Sequence, residues 1–149
     1  MLLFEATPAT GLAAPAARTP HSPTVIPRRR ILLADDDRLL RHGVADLLCA
    51  LDLEVLEAEC GSEAVEIGRS SELHAALLDL HMPDFTGIEV IPQLLELRVG
   101  LPCIVYSGDL TPALETEAFD RGAFAVLKKP VDPPLLREEV RRAIALWDR

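Results

Sequence analysis

The sequence predicts an α/β fold, a five-stranded parallel sheet with helices on both faces, and three observations carry that expectation. Short apolar runs recur five times from Ile31 onward, and between them stand longer stretches with apolar residues at helical spacing. Thr-Pro and Asp-Pro pairs and a glycine punctuate the junctions at Thr111, Asp132 and Gly122. Such alternation needs crossover helices, which is the pattern of parallel pairing.

Taken in order, residues 1–29 are expected to form a disordered Pro/Ala-rich tail. Pro8, Pro15, Pro20, Pro23 and Pro27 recur there too often for a helix or a packed face. The basic triplet Arg28-Arg29-Arg30 reads as a solvated boundary, and residues 30–149 as the folded domain. Strands are expected at 31–34, 54–58, 75–78, 103–106 and 123–127. The first helix has one apolar stripe, Leu40, Val44, Leu47, Leu48 and Leu51, and the last has Leu136, Val140, Ile144 and Trp147. Thr111 and Asp132 stand as N-caps before a proline at the first helical position, and Gly122 fits the exit of the fourth helix. Pro92 either delays the start of the third helix or kinks it after Ile88.

Composition narrows the function classes. A net charge of -9 argues against a nucleic-acid surface, which needs clustered Lys and Arg to replace counterions. Cys49, Cys60 and Cys103 lack metal spacing and fall in or beside apolar runs, so they read as reduced, buried structural residues. The four histidines show no paired spacing for zinc. No apolar run approaches the ~20 residues of a bilayer span. The opening Met1-Leu2-Leu3-Phe4-Glu5 lacks a positively charged start. A cytoplasmic protein with no membrane partner is therefore expected.

Ligands of an open parallel sheet collect beyond the carboxyl ends of its strands. Asp35, Asp36 and Asp37 follow the first expected strand, Asp79 the third, Ser107 the fourth and Lys129 the fifth. Carboxylates about 5 Å apart repel by about 3 kcal/mol per pair at an effective dielectric of 20, so a positive charge must join them. A hard dication such as Mg²⁺ suits oxygen donors, and Lys129 adds a fixed charge. That set fits phosphoryl transfer, where catalysis is mostly positioning and neutralisation, with a carboxylate such as Asp79 as nucleophile.

These residues resemble the response-regulator receiver family, CheY-like domains of flavodoxin-like topology. The carriers are Leu33-Ala34-Asp35-Asp36-Asp37, Leu78-Asp79-Leu80-His81-Met82-Pro83-Asp84 with Gly87, Val105-Tyr106-Ser107-Gly108, and Lys128-Lys129-Pro130, over residues 31–147. The resemblance implies a 2-1-3-4-5 sheet. It implies phosphorylation of Asp79 from a sensor histidine kinase or histidine phosphotransfer protein. Asp36, Asp79 and the backbone carbonyl of His81 would hold Mg²⁺, and Asp35 a metal-bound water. Ser107 and Lys129 would touch phosphate oxygens, and the Lys129–Pro130 bond would be cis. The side chains of His81 and Asp109 would influence phosphoryl loss to water. Asp37 and Asp84 are expected to be cap or loop residues outside the metal shell.

A flavodoxin-like cofactor binder lacks support, since Asp35 to Asp37 would repel a metal-free phosphate. A haloacid-dehalogenase phosphatase would place its nucleophile after the first strand in an Asp-x-Asp-x-Thr pattern, and here Asp37 is followed by Arg38-Leu39-Leu40. A receiver fold used only for protein contact is the other alternative. With Arg149 following soon after the fifth helix, the expectation is a single-domain receiver, monomer or weak homodimer, without enzymatic output. It would act on an unknown downstream protein target. Strand alternation puts Tyr106 and Ser107 on opposite faces, so Tyr106 is expected to pack against a helix.

Overall fold

The computed structural model of the chain describes residues 28–148. Of the expected tail, 1–29, only Arg28 and Arg29 fall among the described residues. The elements are β1 (Arg30–Ala34), α1 (Arg38–Cys49), β2 (Glu54–Ala58), α2 (Gly61–Ser70), β3 (Ala75–Asp79), α3 (Gly87–Leu97), β4 (Cys103–Ser107), α4 (Pro112–Asp120), β5 (Ala125–Lys128) and α5 (Pro133–Ala145). A 3-10 turn, Leu146–Asp148, follows. Every strand pair is parallel, and the order across the sheet is 2-1-3-4-5.

The apolar runs become strands because the middle of such a sheet is covered on both faces. All residues of β1, β3 and β4 except Arg30 are buried. Alternate side chains feed two cores. Ile31, Leu33, Leu77, Ile104 and Tyr106 meet Leu48 of α1 and Leu136 and Val140 of α5. Leu32, Ala34, Leu78 and Val105 meet Val65 of α2 and Ile91 and Leu94 of α3. The edge strands β2 and β5 are only partly covered.

Departures from expectation cluster at element ends. β5 begins at Ala125, two residues late, because the exit of α4 uses the residues before it. Gly122 has φ +106°, and the N–H of Ala123 returns to the carbonyl of Ala118 at 2.9 Å. Leu51 lies beyond α1, which turns at Asp52 with φ 62°, though it still packs on the α1/α5 core. Trp147 is likewise beyond α5 and joins the opposite core, while Ala143 is fully buried in its helix. α3 starts at Gly87 under a Thr86–Glu89 capping box, so Pro92 sits inside the helix and a late start is excluded. Among the cysteines only Cys103 is buried, its thiol pushed up to about 12 by burial. Cys60 is half-buried and Cys49 exposed, because the flanking Leu48 takes the buried position.

Candidate functional site

Parallel strands deliver the loops after β1, β3, β4 and β5 to one edge of the sheet. At the end of β1, Asp35 is fully buried and Asp36 exposed. Asp37 caps α1 by accepting the N–H of Leu40 at 3.1 Å, the kind of role expected for it. Asp79, the last residue of β3, is only 4% exposed. α3 begins hard against it: a Cβ at Gly87 would stand 2.5 Å from the Asp79 carbonyl oxygen, a contact only glycine avoids.

Asp35, Asp36 and Asp79 each offer a carboxylate oxygen within 4.8 Å of the others, a donor set suited to a hard dication. Lys129 follows β5, and its ammonium is 3.2 Å from Asp79 Oδ1 and 3.4 Å from Asp35 Oδ2. The Lys129–Pro130 peptide is cis, and the Lys129 N–H donates to the carbonyl of Ser107 at 2.8 Å. Burial, followed by the neighbouring charge of Asp35, raises the Asp79 carboxyl to about 6, with Lys129 pulling the other way.

Ser107 is fully buried at the end of β4, and its hydroxyl donates to Asp109 Oδ1 at 2.9 Å. The same oxygen is 2.6 Å from His81 Nε2. Hydrogen bonds from His81 and then Ser107 hold the Asp109 carboxyl below its usual range. The imidazole of His81 is thus directed at Asp109, while its backbone N–H donates to Asp79 Oδ1 at 3.3 Å. The six residues expected at the site, Asp35, Asp36, Asp79, His81, Ser107 and Lys129, therefore gather at one edge.

Three contributors were not legible in the residue spacing. Arg41, buried in α1, donates to the Asp35 carbonyl at 2.7 Å and to Glu57 Oε1 at 2.8 Å. Its one signal is a charge beside the apolar stripe of α1. Asp84 accepts the N–H groups of Gly61 (2.7 Å) and Ser62 (2.9 Å), serving α2 from a distance where the adjacent Cys60 makes no side-chain cap bond. The Ser62 side chain foremost, and then these backbone bonds, hold its carboxyl well below the usual range. Tyr106 packs in the α1/α5 core as strand alternation requires, yet its hydroxyl donates to Asp35 Oδ2.

The sequence model of the response regulator receiver domain matches residues 31–141. The nitrate/nitrite response regulator NarL of Escherichia coli K12 is 34% identical over 117 residues, 77% of this chain and 54% of NarL. The DNA-binding transcriptional regulator NtrC of Azospirillum brasilense is 34% identical over 114 residues, 76% of this chain and 24% of that protein. The chain thus spans about half the length of the first and a quarter of the second. Since NtrC is named for DNA binding, the expectation of no nucleic-acid partner, drawn from the charge of this chain, has no support from its relatives. A CheY-like receiver domain protein from Methanospirillum hungatei JF-1 superposes with a TM-score of 0.78 at 26% identity, covering 82% of this chain and 98% of that one. Among the described residues, no helix is long and apolar enough to cross a membrane. With its matching sequence, sheet order and acidic edge, the chain belongs to the response regulator receiver family of two-component systems.

Proposed function

We propose that Asp79 accepts a phosphoryl group from the phosphohistidine of a sensor histidine kinase or histidine phosphotransfer protein, in a Mg²⁺-dependent reaction that this domain assists. The modified domain then signals by contact with a downstream protein target. The observation that carries the reading is the placement of the Asp79 carboxylate, nearly enclosed at the end of β3, with the Lys129 ammonium at 3.2 Å. In the transfer a carboxylate oxygen of Asp79 forms a bond to phosphorus, the N–P bond breaks, and its electron pair stays on the leaving imidazole. A carboxyl near 6 is largely ionised at neutral pH, and so competent to attack.

Asp36, Asp79 and the His81 carbonyl are the proposed Mg²⁺ ligands, with Asp35 holding a water of its shell. Bound there, Mg²⁺ would neutralise charge on the phosphoryl oxygens. Lys129 supplies a second positive charge, and Ser107 exchanges its bond to Asp109 for one to a phosphoryl oxygen. His81 and Asp109, bonded to each other, flank these groups and influence the approach of water to the phosphorylated Asp79. The same reading takes residues 30–149 as the receiver unit and 1–29 as a tail, in a cytoplasmic monomer or weak homodimer.

Incubation with acetyl phosphate and Mg²⁺, read by intact mass, tests the assignment. The parent chain should gain one phosphoryl group, EDTA should prevent the gain, and Asp79→Asn should show none. Unchanged labelling of Asp79→Asn would sink it.

A further inference from the structure

Asp35 is the most completely enclosed acid of the site, and every polar atom it carries is engaged. Its N–H donates to the Ala58 carbonyl at 3.0 Å, and its own carbonyl accepts from Arg41 at 2.7 Å. Carboxylate Oδ1 accepts the N–H of Asp37 at 2.9 Å. Carboxylate Oδ2 accepts from the Tyr106 hydroxyl and lies 3.4 Å from the Lys129 ammonium. Tyr106 stands 71 residues away in sequence, on β4, and β3 separates its strand from β1. Its ring lies fully buried in the α1/α5 core, where a phenylalanine would fill the same space. Packing therefore does not require the hydroxyl. A phenol is protonated at neutral pH, so its hydroxyl acts as the donor to Asp35. The face of the same ring lies 4.7 Å from the Lys129 ammonium, a favourable cation–π distance.

We infer that Tyr106 is a positioning residue for the metal site: its hydroxyl fixes the Asp35 carboxylate in the orientation that faces Asp36 and Asp79, and so strengthens Mg²⁺ binding. The inference rests on the reading of the acid cluster as a Mg²⁺ site. A buried carboxylate that loses one of its donors is freer to rotate and leans more on Lys129, which draws that ammonium away from Asp79. Partners that orient a metal-binding group in this way commonly govern affinity by about tenfold or more.

Tyr106→Phe removes the hydroxyl and keeps the ring. Calorimetric titration with Mg²⁺ alone should show binding about tenfold weaker than in the parent, with the variant melting within a few degrees of it. Tyr106 is the chain's only tyrosine, so ultraviolet difference absorbance supplies a signature that plain packing does not predict. Mg²⁺ should perturb the tyrosine band of the parent at the calorimetric midpoint, and Asp35→Asn should shift that band in the metal-free protein. The Tyr106→Phe spectrum supplies the Trp147 background. Equal Mg²⁺ affinity in parent and Tyr106→Phe, with a silent tyrosine band, would overturn this inference and leave the site reading standing. Failure of the parent itself to bind Mg²⁺ would overturn both.

Discussion

The two ends of the sheet are built from similar materials arranged to opposite ends. At the carboxyl edge, Asp35, Asp36 and Asp79 crowd together with Lys129 as the close cation. At the amino edge, Arg29 pairs with Asp148, Arg30 with Glu54 and Arg98 with Glu72. Each end anchors an aromatic side chain by its polar tip. Tyr106 donates to the carboxylate of Asp35, and Trp147 donates from its indole N–H to the backbone carbonyl of His74 at 2.6 Å. Trp147 also stacks under Arg98, 4.3 Å from the ring, and edges against His74. Like charges held together store repulsion that a bound cation would relieve, whereas paired charges around a half-buried ring close the fold. The molecule thus gives up stability at its carboxyl edge and gains it at its amino edge.

The largest expected effect comes from substituting one residue at each end. Trp147→Ala should cost about 2–3 kcal/mol, through lost burial and the unpaired His74 carbonyl. Asp79→Asn should raise the stability of the metal-free protein at neutral pH by roughly 2 kcal/mol, because it removes a charge whose carboxyl is raised to about 6 in the folded state. Denaturant unfolding in EDTA decides it. If both variants lost stability, the contrast between the ends would fail.

Acid should then act on the two ends in opposite directions. The folded-state value of Asp79 lies above its unfolded one, so its protonation favours the fold as pH falls from 7 through about 6. For His74 the value is lowered, first by burial and then by Arg29 and Arg98, and its Nδ1 already accepts the Arg30 N–H at 3.0 Å. Its contribution is therefore present above the unfolded value of about 6.5 and lost as pH falls through the lower folded one. Asp84 and Asp109 are held low as well, but their losses belong below about pH 5, under the carboxylate reference values. Between pH 7 and 5, metal-free Asp79→Asn should lose stability, while His74→Asn should hold or gain. Melting curves with slopes of the same sign would break the comparison.

The smallest effect sharpens it. Asp148→Asn removes the exposed partner of Arg29 and should cost under about 1 kcal/mol, since exposed ion pairs contribute little. A loss comparable to that of Trp147→Ala would mean that charge pairing, and not the indole, closes the amino edge.

The β-α alternation was legible along the chain, because a central parallel strand reads as an unbroken apolar run and an amphipathic helix as a stripe. The sequence also showed which residues would meet, since a parallel sheet sends the residues at and just past its strand ends to one edge. Asp35, Asp36, Asp79, Ser107 and Lys129 each close or succeed an apolar run, and that position brought them into view while the resemblance to the receiver family supplied their expected roles. Local chemistry marked the caps at Thr111 and Asp132 for a similar reason: a cap acts on N–H groups two or three residues away. The links that cross the chain emerged only in the packed fold. The reach of Tyr106 beneath β3 to Asp35, the service of Asp84 to α2, the buried guanidinium of Arg41 and the turn of Trp147 away from the α5 stripe carry no period and no local signature. Each joins groups brought together by packing, so side-chain direction and distance, which spacing along a chain does not encode, settle them.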